Sequence, residues 1–493
     1  MLIKKFDALH LSSFRLLDLS QTYPIKQLVF KFNSISELKS VESSKFLILS
    51  KAVVIINKRL FVAKALLFCL LVVWQSTSFA QIAPVDSLKA DSLRRIQSKR
   101  VRIVDTLYKQ YDFGDLVNDI LHPRKKTDSL KKKSGITIIP NIASNPSIGF
   151  QIGIKAVAGR KLGNDPNTLM SVAATSASIT TKNIIYFYVN HNVFTPGNKW
   201  NLQGSLIAAK TVTPDFGLGI GQSNDGSAVD QALVNADRKP FAYNSMFYAV
   251  REKVYKNIAK DLFVGAGVSF DIRRNIEDKR STTALTPYNI YNDRYGFDGS
   301  NYSANGLIFS GEYTTRDNQN RAYKGIYADA GLRVNQSWMG SSKNAMIFTT
   351  DFRKYFSLSH RNPEHVIALW NWGSYVVSGA VPYLELPGTA KDPSLRSGRG
   401  YTIGYFKGTQ FNYSEAEYRF PITRNKFISG VAFANVQTAK DGVGTALFEK
   451  WQPGGGGGLR VLFNKATRTN LCLDYAFGKY GSKGFFLGLN EAF

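Results

Sequence analysis

An arginine and two glutamates have the residue types and the spacing to form a buried ion pair. Arg399 lies in the segment GRGY at 398–401, and Glu415 and Glu417 follow two residues apart. In an extended strand those two carboxylates share one face, because side chains alternate. A guanidinium can bind a carboxylate through two parallel hydrogen bonds. One hypothesis is therefore that Arg399 pairs with Glu417 or Glu415, and the other is that Arg399 is a solvated surface charge.

The remaining chemistry-bearing residues lack the arrangement that catalysis or metal binding needs. The five histidines show no ligand spacing. The glycine run Gly454–Gly458 is not followed by Lys-Ser/Thr, so it does not indicate a phosphate-binding loop. A hydrolase would need a nucleophile or paired acids beside a histidine, and His360 and His365 qualify by residue type only. We predict no catalytic residues, no cofactor and no metal, and hence a protein that is not an enzyme.

From residue 135 onward, apolar and polar residues alternate with period two. In Gly325–Asn335 the apolar face is formed by Ile326, Ala328, Ala330, Leu332 and Val334. A strand between lipid and a water-filled lumen needs one apolar and one polar face. The alternation therefore predicts an all-β fold, a transmembrane antiparallel β-barrel of about 16 strands. The candidate strands are Ile136–Ala143, Gly149–Ala158, Met170–Ile179, Ile184–Val193, Trp200–Ala209, Ala242–Val254, Leu262–Ile272, Ala304–Tyr313, Gly325–Asn335, Ala345–Tyr355, Val366–Val376, Thr402–Phe420, Phe427–Val436, Gly456–Phe463, Thr469–Phe477 and Lys483–Phe493.

The composition is compatible with such a barrel. The mean hydropathy of −0.17 is too low for a bundle of apolar helices, since each span would need about 20 apolar residues. The net charge of +27 arises from 63 basic and 36 acidic residues that are interspersed along the strands. Because the basic residues form no single stripe, nucleic acid is not indicated as a partner. Anionic lipopolysaccharide and outer-membrane lipid around the barrel, or a cation-lined lumen, account for the charge.

The residues ahead of the barrel divide into three parts. The apolar run Ala65–Trp74 follows basic residues and precedes the small residues before Ala80, which predicts a signal peptide cleaved after Ala80. We predict that residues 1 to about 53 lie upstream of the true start, so that 1–80 comprises this extension and the signal. Residues 81–134 are polar and charged, and we expect a periplasmic linker with short helices. Residues 135–493 form the barrel, and the signal implies the outer membrane of a Gram-negative bacterium.

The chain's last segment carries a second targeting feature. Phe493 follows Phe485, Leu487 and Leu489 with strand alternation. A final strand ending in Phe resembles the recognition signal read by the barrel-assembly machinery, so we expect that machinery as a partner in insertion. Glu491 departs from the pattern, because an apolar residue is usual at its position.

Several motifs resemble one family when they are read in order. They are Thr315–Asn318 with Gly325, Asp351–Tyr355, Gly398–Tyr401 with Glu415–Pro421, and Gly456–Arg460 with Asp474–Ala476. Their order and spacing over residues 135–493 resemble the barrel of BamA/TamA-type proteins, the bacterial surface antigen family. The third group is the most specific, because it resembles the family's RGY loop and the EYRFP strand after it. Relatives that fold other membrane proteins carry POTRA domains, for which 81–134 is too short, so we expect a member without them.

The resemblance implies that a loop with Arg399, Gly400 and Tyr401 folds into the lumen. Residues 377–400 are rich in proline and glycine and too broken for a strand. We expect Glu415 and Glu417 to anchor the loop on the barrel wall. Asn435 stands where the family usually has an acid, so anchoring there is expected to be weaker, or to rest on the glutamates alone.

Three functions remain open at this point. The first is a barrel that assists the insertion or translocation of proteins or lipids through the junction of its first and last strands, with other outer-membrane proteins as clients. The second is a passive pore or structural barrel without assembly activity. The third, an enzyme, would need catalytic residues that the sequence does not provide.

Overall fold

The structure is a computed structural model that describes residues 110–121, 136–165, 168–221, 226–279, 285–465 and 467–493. The predicted signal peptide and its upstream extension lie outside the described residues. Among the residues that are described, no helix combines the length and apolarity needed to cross a membrane. The described residues contain three α-helices, α1 (Phe113–Leu121), α2 (Ala228–Val234) and α3 (Pro287–Tyr295).

Most of the described chain is β-structure. The strands are β1 (Ile136–Pro140), β2 (Ala143–Asn145), β3 (Gly149–Lys161), β4 (Met170–Thr180), β5 (Ile185–Phe194), β6 (Trp200–Asp215), β7 (Phe241–Ala259), β8 (Leu262–Asp278), β9 (Tyr302–Thr314), β10 (Gly325–Asn335), β11 (Ala345–Ser357), β12 (Val366–Gly379), β13 (Gln410–Pro421), β14 (Ile428–Lys440), β15 (Gln452–Asn464), β16 (Thr469–Gly478) and β17 (Lys483–Leu489).

These strands form one closed ring. β1 and β2 are two halves of the first strand, because both pair with β3 and only two residues separate them. The ring therefore has 16 strands, each antiparallel to its neighbours. It closes through a single residue pair, Leu487 of β17 with Ser144 of β2. The prediction of an antiparallel barrel of about 16 strands is confirmed.

The two ends of the barrel differ in their connections. We call the end with the start of β1 and the finish of β17 the termini end, and the other the loop end. At the termini end the turns are short; β7 and β8 are joined by residues 260–261 alone. Residues 216–240, 279–301, 380–409 and 441–451 connect strands at the loop end. The long connections therefore all lie on one side.

The alternation that the sequence shows is visible in the side-chain contacts. In β10, Asp329 contacts Ser310 and Arg333 contacts Asp271, so the polar residues face the lumen. The outward face carries exposed apolar side chains, among them Ile152, Ile154, Phe187, Val264, Phe309, Phe352, Leu369, Leu459, Tyr475, Phe477 and Phe485. An apolar exterior around a polar interior is the reverse of a water-soluble barrel and fits a lipid surround.

The helices α2 and α3 pack together at the loop end, and we call them the lid. α2 begins at a capping box formed by Ser227 and Asp230. Asp230 then pairs with Arg294 of α3 at 2.7 Å, which ties the two helices together. Beneath them lies a buried apolar cluster to which both helices and the loop 380–409 contribute, formed in part by Leu233, Tyr288, Tyr291, Tyr383 and Leu384.

α1 docks at the termini end, within the segment expected to be a periplasmic linker. Phe113 stacks on Phe463 with ring centroids 5.5 Å apart. The Lys465 ammonium pairs with Asp115 at 2.6 Å. The backbone N–H of Lys465 also donates to the Asp112 side chain at 3.0 Å. α1 is therefore fixed to the turn between β15 and β16.

Two predicted strands include several residues that do not form strand, and others, such as Trp200–Ala209 and Leu262–Ile272, stop short of the observed end. The segment Thr402–Phe420 becomes strand only at Gln410, because residues 402–409 belong to the loop inside the barrel. The last segment, Lys483–Phe493, ends as a strand at Leu489. Both overextensions arise because some residues that are buried in the lumen, such as Phe406 and Phe493, resemble strand residues in the sequence.

Candidate functional site

The candidate site is the connection between β12 and β13, which folds into the lumen. Its residues 380–409 are largely buried, although they form turns rather than strands. Asp392 organises one turn, because its carboxylate accepts backbone N–H groups from Ser394, Arg396 and Ser397 at 2.8–3.2 Å. Thr389 fixes the loop to the wall through a 2.7 Å hydrogen bond to Gln437. We call residues 380–409 the lumen loop.

Arg399 is the centre of the site and lies among carboxylates. Its guanidinium pairs with Glu415 and with Glu417, the two neighbours on the lumen face of β13. Its Nη1 also donates to Asp474 Oδ2 at 2.9 Å. All four side chains are buried. The geometry supports the hypothesis that Arg399 forms a buried ion pair and contradicts the hypothesis that it is a solvated surface charge.

Asp474 is an anchor that the sequence analysis did not assign. It lies on β16, two strands away from β14, where the replaced acid was expected. The side chain crosses beneath β15 at Gly458, where a Cβ atom would collide with the Asp474 carboxylate. The expectation that anchoring rests on the glutamates alone is therefore wrong. In the sequence, only the glycine at position 458 could have suggested that Asp474 extends past β15 to Arg399.

Asn435 contributes to the site as an amide rather than as an acid. Its Nδ2 donates to the backbone oxygen of Arg399 at 3.1 Å and lies 3.5 Å from a Glu415 oxygen. Phe433, two residues earlier on the same face, packs flat against Arg399, whose guanidinium carbon is 3.5 Å from the ring centroid. Such cation–π packing adds to the charge pairing in a buried site.

Tyr401 is held in a socket made by glycines. Its hydroxyl donates to the Pro453 carbonyl oxygen and accepts the backbone N–H of Lys479 at 2.8 Å. A Cβ atom at Gly478 would collide with the Tyr401 ring. Gly400 has φ +102°, a conformation that favours glycine, and its carbonyl oxygen accepts the Ser482 hydroxyl at 2.7 Å.

The lumen loop also contacts both sides of the barrel's closure, which we call the seam. On one side, Arg396 Nη2 donates to the Leu489 carbonyl oxygen of β17 at 2.8 Å. On the other side, the backbone N–H of Ile403 donates to the Ser147 hydroxyl in the turn after β2 at 2.7 Å. One loop therefore ties together two strands that share a single residue pair.

A chain of ion pairs continues from the site to the termini end. Asp474 pairs with Arg460, whose Nε donates to Glu491 Oε2 at 2.7 Å. Glu491 lies 3.8 Å from Arg321, which pairs with Glu364 at 3.3 Å. All of these side chains are buried, and each charge has an opposite charge beside it. Buried charges persist only when they are paired in this way.

The last four residues turn into the lumen. We expected Phe493 on the final membrane strand, but its side chain is buried against Trp370 and Tyr355, at centroid distances of 5.1 and 6.2 Å. Its backbone oxygen accepts a hydrogen bond from Arg419 at 2.8 Å. The placement of Phe493 is therefore corrected: the Glu491 ion pairs draw the chain inward after Leu489. Its role as an insertion signal stays a prediction.

Two lysines of the lumen loop are set into the barrel, Lys407 fully buried and Lys391 partly buried. Lys407 pairs with Asp215 at 2.6 Å and lies over the Tyr383 ring. Burial lowers the pKa of Lys407, although Asp215 opposes this effect. Burial also lowers the pKa of Lys391 to about 8, with the Glu385 carboxylate acting in the opposite direction. Lys391 donates to the Leu384 carbonyl oxygen at 2.7 Å.

The histidines occupy structural positions where the structure describes them. His365 contacts the Tyr418 hydroxyl at 2.9 Å on the exterior, and His191 contacts Glu252 at 3.1 Å. In the described part of the chain, no group of three histidine, cysteine or acidic side chains is placed to hold a metal ion.

Comparison with known proteins adds the following findings. No family model matches the sequence, and no curated protein matches it. Among solved structures, the chain is similar to BamA from Haemophilus ducreyi lacking POTRA domains 1–3, at 13% identity and a TM-score of 0.49 over 73% of this chain and 71% of that one. It is also similar to CdiB from Acinetobacter baumannii (12%, TM-score 0.44, 73% and 60%) and CdiB from Escherichia coli (8%, 0.48, 74% and 64%). The alignments thus span less than two thirds of both CdiB chains, and at these identities the likeness concerns the fold alone.

Proposed function

We propose that this chain is an outer-membrane barrel of the BamA/TamA type that assists the insertion or translocation of proteins or lipids at its seam. The observation that carries the proposal is the closure by one residue pair, Leu487 with Ser144. Neighbouring strands elsewhere share far longer registers; β13 and β14, for example, pair over 12 positions. The seam is therefore the weakest junction in the ring.

The placement in the outer membrane rests on the barrel's two surfaces. Its exterior is apolar and its long connections lie at one end, which matches the long extracellular loops and short periplasmic turns of outer-membrane barrels. In this orientation the loop end faces outward and the termini end faces the periplasm.

The edges at the seam supply the means to engage a client. Among the described residues β1 pairs with β3 alone, so its other edge has no strand partner within that part of the chain, and β17 contacts β2 at one position. Exposed strand edges accept an added strand through backbone hydrogen bonds. A client strand could pair there while the lumen loop, released from Leu489 and Ser147, allows the two sides to separate.

The alternative is a structural barrel or passive pore. The buried ion pairs around Arg399 and the packed lid favour a permanently closed, structural barrel over an open pore. In that case the seam would simply be a junction with few residue pairs, and it would not need to open. A disulfide across the seam distinguishes an assembly factor, which must open there, from a structural barrel, which need not.

The test is a disulfide between Ser144→Cys and Leu487→Cys in a Cys472→Ser background. These two residues are direct partners, and opposed residues in antiparallel strands lie about 4.5–5.5 Å apart, within disulfide range. The matched control places the disulfide between Ala177→Cys and Phe187→Cys, partners on the neighbouring strands β4 and β5, away from the closing pair.

The readout is the outer-membrane proteome of a strain depleted of this chain and complemented with each variant. We expect the seam disulfide to cause selective loss of other barrels, reversed by reductant, while the control disulfide and wild type restore them. Arg399→Ala is expected to give a partial loss. An unchanged proteome with the oxidised seam would refute the assembly role and leave the structural barrel.

A further inference from the structure

The outer face of β15 carries glycines for which the barrel wall itself gives no reason. In the run Gly454–Gly458, residues 454, 456 and 458 face the lumen and 455 and 457 face outward. None of the five has a positive φ, so the backbone conformation does not require glycine at any of them.

The two sets of glycines differ in what surrounds them. On the lumen side, a Cβ atom at Gly456 or Gly458 would collide with strand β16, and one at Gly454 would lie 2.7 Å from Asn435. On the outside, a Cβ atom at Gly455 or Gly457 would lie 3.2 Å from a backbone carbonyl oxygen of β14, which is a tight contact but not a collision. The inward glycines make room for strand β16 and Asn435, whereas the outward glycines leave space on the exterior where two side chains would otherwise stand.

That space is an open groove on the outer wall. It measures about 700 Å³, its floor is Ala434, Gly455 and Gly457, and the exposed rings of Tyr475 and Phe477 form one side. A second groove of about 450 Å³ begins at the same Ala434 and continues over Ala416 towards Leu369. We call the two together the wall groove. Its size and shape suit more than one extended hydrocarbon chain.

Positive charge lies at the loop end of the wall groove. Lys479 lines the groove, and the exposed Lys483 is the direct partner of Phe477 on the neighbouring strand. Within the strands β14 to β17 the sole acidic side chain is Asp474, which is buried on the lumen side; the loop-end connection 441–451 adds one exposed acid, Glu449, next to Lys450. The headgroup region above the groove therefore favours an anion.

We infer that the wall groove binds an anionic glycolipid of the outer leaflet, with acyl chains over Gly455 and Gly457 and a headgroup phosphate on Lys479 and Lys483. The inference rests on the proposed placement of the loop end outside. Within a bilayer, apolar surfaces gain little from leaving water, so shape-matched packing and headgroup contacts select the lipid. The wall groove provides the packing surface for acyl chains, and the ammonium groups of Lys479 and Lys483 provide the headgroup contacts.

The test measures lipid binding to the purified full-length protein by native mass spectrometry. The probes are hexa-acylated lipid A, phosphatidylglycerol and phosphatidylethanolamine, each titrated in detergent. The groove is filled in the double variant Gly455→Leu/Gly457→Leu, and the charge is removed in Lys479→Gln/Lys483→Gln. Gly311→Leu is the matched control, because Gly311 lies in β9 and a Cβ atom there meets nothing within 4 Å.

We expect wild type and Gly311→Leu to retain lipid A equally and in preference to phosphatidylethanolamine. Filling the groove should weaken lipid A binding about tenfold, because several methylenes lose their contacts at once. Removing the lysines should abolish the preference for lipid A over phosphatidylethanolamine. Unchanged lipid A binding by a folded leucine variant, or equal retention of all three lipids by wild type, would overturn the inference. A preference for phosphatidylglycerol over lipid A would overturn the glycolipid assignment.

Binding to purified protein does not depend on assembly activity. A barrel that fails to rescue the outer-membrane proteome could still bind lipid A in the wall groove, and the reverse also holds. Folding of each variant is verified by the shift of its band in unheated gels.

Discussion

At the scale of single residues, the arrangement around Arg399 is an ionic lock. One guanidinium contacts Glu415, Glu417 and Asp474, and the neighbouring Arg419 and Arg460 share those acids. A buried pair of this kind adds little over an apolar core, but losing one partner is costly because charges remain without compensation. The lock therefore fixes the position of the lumen loop more than it raises stability.

Arg399→Ala is expected to lower the free energy of unfolding by about 3–5 kcal/mol, because the buried Glu415 loses its cation while Glu417 and Asp474 keep only Arg419 and Arg460. Arg399→Lys should cost less, since the charge remains while the two-pronged geometry is lost. Urea unfolding in detergent, followed by tryptophan fluorescence, measures both. Equal stability of the alanine variant and wild type would contradict the lock.

The glycine socket predicts a coupling between two distant residues. Gly478→Ala places a Cβ atom against the Tyr401 ring, which should destabilise the barrel by about 1–3 kcal/mol. In a Tyr401→Ala background the same change should cost little, because the ring is absent. A double-mutant cycle gives the coupling energy. Gly311→Ala, with open space around its Cβ, serves as the control.

At the scale of elements, stability is unevenly distributed around the ring. β12, β13 and β14 pair over ten or more residues each and carry the ion-pair anchors. At the seam, β17 meets β2 at one position, and the lumen loop supplies further hydrogen bonds through Arg396 and Ile403. Opening the seam therefore requires that the hydrogen bonds of Arg396 and Ile403 to its two sides break.

Hydrogen exchange should reveal this difference. Backbone amides of β1, β2 and β17 are expected to exchange before those of β13 and β14, since few bonds protect them. Arg396→Ala should accelerate exchange in β17 further and leave β13 unchanged. Arg294→Ala cuts an ion pair in the lid and is the matched control. Uniform exchange around the ring would argue against a weak seam.

At the scale of the whole molecule, the barrel is wide and its lumen is filled. Barrels of 16 strands enclose an aqueous channel unless something occupies it. Here the lumen loop, the lid over the loop end and the inward-turned tail with Glu491 and Phe493 occupy the interior. The native barrel should therefore conduct ions poorly.

Replacing residues 390–404 by a short glycine-serine linker is expected to raise single-channel conductance several-fold in planar bilayers, because it removes Arg399, Tyr401 and the turns around them. A glycine-serine replacement of residues 444–448, in another loop-end connection, should leave conductance unchanged. Conductance that is high in wild type would contradict a filled lumen and support the passive pore.

Most strands of the barrel wall can be predicted from the sequence, whereas the segments that fold into the lumen largely cannot. Strand alternation is a local property, so segments such as Gly325–Asn335 can be recognised without knowledge of their neighbours. The same locality explains the errors at residues 402–409 and 490–493. Both segments contain large apolar residues, such as Phe406 and Phe493, that are buried inside the barrel, and burial of that kind depends on residues far away in the chain.

The sequence by itself determined the barrel and its approximate number of strands, and it offered the pairing of Arg399 with acids two residues apart on one strand face as one of two hypotheses. The tertiary structure alone decided that Asp474 completes the site, that Glu491 draws Phe493 inward, and that Leu487 meets Ser144 as the sole closing pair. The physical reason is the range of the interactions. Alternation and ion-pair spacing act between near neighbours, whereas closure of a ring brings together its two ends and whatever lies across its interior.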